Sequence, residues 1–225
     1  MKKNLIKVAG IFSCVIIFII FAVLIYINDT NALKMDELLR DFCYSFRGEK
    51  YGFWYWFFRI LTEFGNLYFV GIIVIILFFL TRCDFRFILL TLGLLLAVMI
   101  NIQLKELYMR QRPVEEMRWM FEESTSFPSG HSTAAAFLYS FIMYLAYHTN
   151  INKSKKIVIN ISCMVMILIV MFSRMVLGVH YLSDVIAGAC VGFMVSFVMM
   201  TFYKMCDKYD ILKEGIIDKI KNFKD

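Results

Sequence analysis

The sequence predicts an all-α integral membrane bundle of six transmembrane helices, with an interfacial helix between spans 1 and 2, and three observations carry that prediction. Hydrophobic residues make up 60% of the chain and its mean hydropathy is +0.69, which excludes a disordered polypeptide and disfavours a water-soluble globule. The apolar residues are gathered into separate runs, each near the roughly 20 residues that carry an α-helix across about 30 Å of hydrocarbon. Only 2 Pro occur in the chain, and neither interrupts a run.

The first run, residues 8–27, follows Lys2, Lys3 and Lys7. It is too long for a signal-peptide core and no small-residue cleavage motif follows it, so it reads as an uncleaved anchor. Next, Leu38, Leu39, Phe42 and Phe46 recur at helical spacing among Asp36, Glu37, Arg40 and Asp41. That pattern predicts a short amphipathic helix on the outer leaflet. Trp54-Tyr55-Trp56 suits an aromatic belt at the membrane–water interface. The remaining runs cover residues 64–80, 87–104, 132–147, 157–176 and 185–203. The chain therefore divides into an anchor and interfacial helix (1–52), a membrane core (53–204) and a basic cytoplasmic tail (205–225).

With the N-terminus inside, the cytoplasmic side holds Lys2, Lys3, Lys7, Arg82, Arg86, Lys153, Lys155, Lys156, Lys204, Lys208, Lys213, Lys219, Lys221 and Lys224, fourteen of the 24 Lys and Arg, against seven outside once Lys105, Arg112 and Arg174 are set aside as ligand-binding. This bias predicts a multi-pass cell-membrane protein with both termini in the cytoplasm. The net charge of +6 reads as topology and attraction to anionic lipid, with no nucleic-acid partner. Of the 6 Cys, Cys14, Cys163 and Cys190 lie in runs, Cys83 and Cys206 fall inside, and Cys43 alone falls outside. No disulfide framework or CxxC spacing exists.

Three polar motifs interrupt this apolar frame. Lys105 and Arg112 stand seven residues apart, two helical turns, before Pro113, so they share a face while the helix lasts. Phe127-Pro128-Ser129-Gly130-His131 opens the fourth run, where a helix N-terminus offers free amides to an anion and Gly allows close backbone approach. In Ser173-Arg174 through Asp184, His180 and Asp184 are four apart, so the carboxylate can accept from Nδ1–H and leave Nε2 as a nucleophile. Each motif alone has an ordinary explanation: a snorkelling Lys, a helix start, a salt bridge at a membrane border.

Parity decides between the readings. The connections after spans three and five must lie on one side of the membrane, the extracytoplasmic side by the charge count. Three cations and a helix N-terminus gathered there describe a site for a multiply charged anion, and the two histidines add nucleophile and acid chemistry. Three cations would repel a divalent metal, so a zinc site is disfavoured. His148, the third of the 3 His, reads as a solvated loop residue, and the acidic run Glu115, Glu116, Glu122 and Glu123 either shapes access or decorates a solvated loop, the latter being favoured.

These residues resemble the type 2 phosphatidic acid phosphatase superfamily, which includes lipid phosphatases and, more distantly, vanadium haloperoxidases. Its three motifs, Lys-x6-Arg-Pro, Pro-Ser-Gly-His and Ser-Arg-x5-His-x3-Asp, occur intact and in order at Lys105 to Pro113, Pro128 to His131 and Ser173 to Asp184. The resemblance implies a phosphohistidine on His180, with Asp184 orienting its ring. It implies that His131 protonates the departing oxygen and then activates water. Lys105, Arg112, Arg174, Ser129 and the Gly130 amide would hold the phosphoryl oxygens, with Ser173 assisting, and neither metal nor cofactor would be required.

A site at the outer membrane border favours a lipid phosphate or diphosphate substrate. Similar small six-span members hydrolyse undecaprenyl diphosphate, the substrate expected first, while others act on phosphatidylglycerol phosphate, phosphatidate or diacylglycerol diphosphate. A phosphate or lipid transporter is the non-enzymatic alternative.

Overall fold

The computed structural model describes residues 2–29, 31–80 and 85–208. Arg82, Cys83 and the tail beyond Lys208 lie outside them. Among the described residues the chain is helical without a strand: α1 (Lys2–Ile27), α2 (Lys34–Ser45), α3 (Phe53–Glu63), α4 (Leu67–Leu80), α5 (Phe85–Tyr108), α6 (Gly130–His148), α7 (Lys153–Val176) and α8 (Leu182–Lys208).

Among the described residues four stretches are long and apolar enough to cross a membrane: Ala9–Ile27, Arg86–Tyr108, Lys153–Val176 and Leu182–Cys206. A fifth forms if α3 and α4, bent 47° at their junction, make one span. The sequence leads one to expect a single helix over residues 64–80. The helix instead starts at Phe53, stops at Glu63 and restarts at Leu67. Phe64-Gly65-Asn66 makes the break: the Tyr139 hydroxyl donates to the Phe64 carbonyl (3.1 Å), and Asn66 Oδ1 accepts the Tyr68 amide (3.0 Å), capping the restart. The aromatic residues 53–58 are thus the first turns of α3.

Helix α6 is the hub, packed against α4, α5, α7 and α8. Its surface explains why it lacks the hydropathy of its neighbours: Ser132, Thr133, Ala134, Ala135, Ala136, Phe137 and Phe141 are all buried against protein. Small residues permit close approach between membrane helices. At Gly188 of α8 a Cβ would fall 2.4 Å from the Ser129 carbonyl oxygen, and at Gly192, one turn on, 2.4 Å from that of Thr133. Phe137, Phe141, Leu89, Leu90, Leu94, Val70 and Val195 fill the core between α4, α5, α6 and α8. A second cluster, with Phe58, Trp119, Met175 and Val185, joins α3 to the end of α7.

Helix α2 buries Asp36 and Cys43 and exposes Leu38, Phe42 and Phe46, so its apolar spacing serves an outer face as well as the protein. The described cysteines are free thiols, and Cys43 is buried.

Candidate active site

Four helix ends meet at one end of the bundle: the C-termini of α5 and α7 and the N-termini of α6 and α8. Helix α7 stops because Gly178 takes φ +75°, a left-handed conformation suited to a residue without a Cβ, while the Gly178 and Val179 amides bond back to the Met175 and Arg174 carbonyls (3.0 and 3.2 Å). The turn sends Val179-His180 across the bundle end. Helix α6 starts at the N-cap Ser129, whose Oγ accepts from the Ser132 amide (3.4 Å) and hydroxyl (3.1 Å), leaving its own proton for another acceptor. Pro128 therefore precedes the cap, behind a cis peptide, and is not in the first helical turn. The amides of Gly130 and His131 lie in the first turn, where they have no partner within the helix.

His180 is 4% exposed. Arg112 Nη1 lies 3.1 Å from its Nε2. Guanidinium only donates, so Nε2 must carry the lone pair and Nδ1 the proton. Sequence spacing leads one to expect Asp184 to face that proton, and its Oδ2 lies 3.5 Å from Nδ1. Ser126 lies beside both groups: its Oγ is 3.4 Å from Nδ1 and donates a short hydrogen bond to Asp184 Oδ2. Asp184 Oδ2 also accepts the Tyr181 amide (2.9 Å), which closes the first turn of α8 around the ring. Burial first, then Arg112, Arg174 and Lys105, hold the His180 imidazole well below its usual value. The ring is neutral and its lone pair faces cations.

Those cations hold one another's surroundings in place. Arg112 donates to the carbonyls of Ser124 (2.6 Å) and Val179 (2.6 Å) and to Ser124 Oγ (3.1 Å). Burial pushes its ionisation down to about 10, with Glu122 opposing and Arg174 adding to the fall. Lys105 Nζ donates to the Thr125 carbonyl, and Thr125 Oγ1 returns a bond to the Lys105 carbonyl (3.1 Å). Arg174 is fully buried. Its Nη1 meets Thr62 Oγ1 (3.1 Å) and His131 Nε2 (3.4 Å), and its Nη2 pairs tightly with Glu122 Oε1.

The structure thus brings together Lys105, Arg112, Ser129, Gly130, His131, Arg174, His180 and Asp184. Ser173 does not join them through its hydroxyl, which donates to the Val170 carbonyl one turn back (2.7 Å). Three features escape the motif reading. Ser126 stands two residues before the Pro-Ser-Gly-His run and looks like loop. Glu122, expected to be a solvated loop residue, is a site residue: its second oxygen is 4.0 Å from Arg112, and the cations keep its carboxyl below the usual range although burial works the other way. Arg110 and Asp36 form the third feature. Both are buried, and Arg110 bonds Asp184 Oδ1 (2.6 Å), Ser183 Oγ (2.7 Å) and Asp36 Oδ2 (2.7 Å). Burial alone would lower the Arg110 ionisation, and the two carboxylates reverse that.

A cavity of about 480 Å³ opens on this cluster between α4, α5 and α6. Lys105, Glu122 and His131 lie at its charged end, while Leu67, Ala97, Val98, Ile102 and Ala134 make an apolar wall. Among the described residues no group of three or more His, Cys, Asp or Glu is arranged to hold a metal ion.

An all-helical membrane fold with this cluster at one end defines a class, and the comparisons agree with it. The model of the PAP2 superfamily matches residues 86–208, and the chain belongs to that superfamily. It is 40% identical over 106 residues to phosphatidylglycerophosphatase B of Bacillus subtilis (strain 168), a match covering 46% of this chain and 51% of that protein. The chain therefore aligns with about half the length of that curated relative. The crystal structure of the first transmembrane PAP2 type phosphatidylglycerolphosphate phosphatase from Bacillus subtilis superimposes with TM-score 0.76 and 27% identity, covering 87% of this chain and 96% of the other. Aquifex aeolicus LpxE shares the fold at TM-score 0.59 and 20% identity, covering 75% and 96%.

Proposed function

We propose that this chain is a membrane lipid phosphatase that cleaves a phosphate ester through a phosphohistidine on His180. One observation carries the proposal: the Nε2 lone pair of a neutral, buried imidazole faces Arg112, within the cluster that also holds Arg174 and Lys105. In the first step Nε2 bonds to phosphorus as the P–O bond to the lipid alcohol breaks, and His131 gives a proton to the departing oxygen. In the second step water loses a proton to His131 and bonds to phosphorus as the N–P bond breaks, releasing phosphate and restoring His180. Arg112, Arg174, Lys105, Ser129 and the first amides of α6 hold the charge on the phosphoryl oxygens, which is where most of the barrier to phosphoryl transfer is lowered. The chemistry uses neither metal nor cofactor.

The apolar wall of the cavity favours a substrate whose tail stays in lipid. The names of the Bacillus subtilis relatives favour phosphatidylglycerophosphate over the isoprenoid diphosphate that the sequence suggests first. Within this proposal α6 and the bent α3–α4 pair complete six spans, α2 lies on the outer leaflet, both termini are cytoplasmic and the site is extracytoplasmic. The core is 53–204, flanked by the N-terminal region 1–52 and the basic tail 205–225.

The test is phosphate release by purified protein, in detergent and without a gradient, against phosphatidylglycerophosphate, phosphatidate, diacylglycerol diphosphate and undecaprenyl diphosphate. Turnover favouring the first, unaffected by EDTA, supports the proposal. No phosphate release from any of these lipids would overturn it, and loss in EDTA restored by Zn²⁺ or Mg²⁺ would overturn the metal-free mechanism.

A further inference from the structure

Glu122 occupies the place where the phosphoryl oxygens are expected. One of its carboxylate oxygens pairs with Arg174 and the other faces Arg112 at 4.0 Å, so a single anion bridges two of the three cations. The carboxylate lies at the charged end of the cavity with Lys105 and His131. Its backbone belongs to an irregular segment fixed on both sides. On one side the Trp119 amide bonds the Leu177 carbonyl (2.9 Å), and on the other Ser124 and Thr125 are tied to Arg112 and Lys105. Between those anchors the side chain can turn about its own bonds without moving the cradle. Glu122 is also less deeply buried than its partner, its side chain 22% exposed against 0% for Arg174.

We propose that Glu122 is the exchangeable occupant of the phosphate cradle. It neutralises the cations while the site is empty, yields them to the phosphoryl group of the substrate, and returns as inorganic phosphate departs. The physical reason is that uncompensated buried cations are costly, so an empty site of this charge needs an anion, and a carboxylate on a flexible stem supplies one that a dianionic phosphoryl group can displace. A resident competitor weakens the hold on substrate and product alike, which speeds release of phosphate. This rests on the reading of the cluster as a phosphate site.

The test compares full-length wild type with Glu122→Gln, which keeps shape and removes charge. Thermal stability in detergent is titrated with inorganic phosphate and with orthovanadate. The variant should be less stable than wild type in anion-free buffer, and should reach half-maximal stabilisation at an anion concentration at least tenfold lower. Its inhibition constant for phosphate during turnover should fall by a similar factor. Glu122→Asp, which keeps the charge on a shorter stem, should lie between the two. If Glu122 instead fixes the arginines for substrate, Glu122→Gln will bind phosphate equally or more weakly, and the exchange is refuted while the phosphatase reading stands. If neither anion stabilises wild type or variant and no lipid phosphate is hydrolysed, the cradle itself is refuted.

Discussion

Asp36→Asn isolates a charge that lies far from the motifs in sequence. Asp36 Oδ2 accepts from Arg110 (2.7 Å) and Ser183 Oγ (2.7 Å), and Oδ1 accepts the Ser183 amide (2.9 Å). Asparagine replaces one acceptor with a donor facing donors and removes one of the two carboxylates on Arg110. Breaking a buried ion pair from one side costs about 3–5 kcal/mol, and the surviving Asp184 contact places this case near 3. For a chain of this size each kcal/mol shifts the melting temperature by roughly 2–4 °C, so a fall of about 6–12 °C is expected. Because Asp184 Oδ1 is then the remaining carboxylate on this guanidinium, beside the Ser183 hydroxyl and the Asn31 carbonyl, kcat should fall while KM changes little. Removing both charges, Asp36→Asn with Arg110→Met, should cost less than the sum of the single changes. Melting in detergent and steady-state phosphate release measure both effects. A melting temperature within about 2 °C of wild type, or strictly additive changes, would refute the reasoning.

Ser126→Ala removes the hydroxyl that bonds Asp184 beside the His180 ring. It should lower kcat about tenfold to a hundredfold, the equivalent of the roughly 1–3 kcal/mol that an unsatisfied buried group costs, with KM largely kept. His180→Ala should abolish turnover while orthovanadate still stabilises the protein, and near-wild-type release would exclude His180 as nucleophile. His131→Ala should slow phosphoenzyme formation most for esters with poor leaving groups, and equal slowing across a series would count against its acid role. Since His180 is held well below its ordinary value, the unfolded chain binds a proton below about pH 6.5 that the folded one refuses, and stability falls with pH at up to ~1.4 kcal/mol per unit. Melting scans from pH 7 to 5 should therefore be steeper for wild type than for His180→Gln. Gly188→Ala should lower both stability and activity by driving a Cβ onto the Ser129 carbonyl, whereas Gly71→Ala, where a Cβ meets nothing within 4 Å, should leave both unchanged.

What the sequence disclosed depended on whether each residue's role could be read locally. Apolar runs long enough for the bilayer announce α1, α5, α7 and α8 directly. The α3–α4 break was not legible, because Phe64-Gly65-Asn66 stops the helix through a hydroxyl supplied by Tyr139 of α6. The cations and histidines declared themselves by being charged beside membrane spans. Glu122 and Ser126 gave no such signal, since a Glu among other acidic residues and a Ser in a loop are unremarkable until the loop folds back on α7 and α8. Asp36 sat in an amphipathic pattern that assigned every charge to water, and only the tertiary fold shows its partner 74 residues away.

The Asp36–Arg110–Asp184 chain also bears on how such proteins can be recombined. The N-terminal region can look like an interchangeable membrane handle, to be trimmed or traded between relatives. Because it contributes the carboxylate that shares Arg110 with Asp184, a hybrid joined near residue 52 imports half of an ionic partnership. Its foreign leader must present an acid in register with Arg110, or Arg110 must be exchanged along with it.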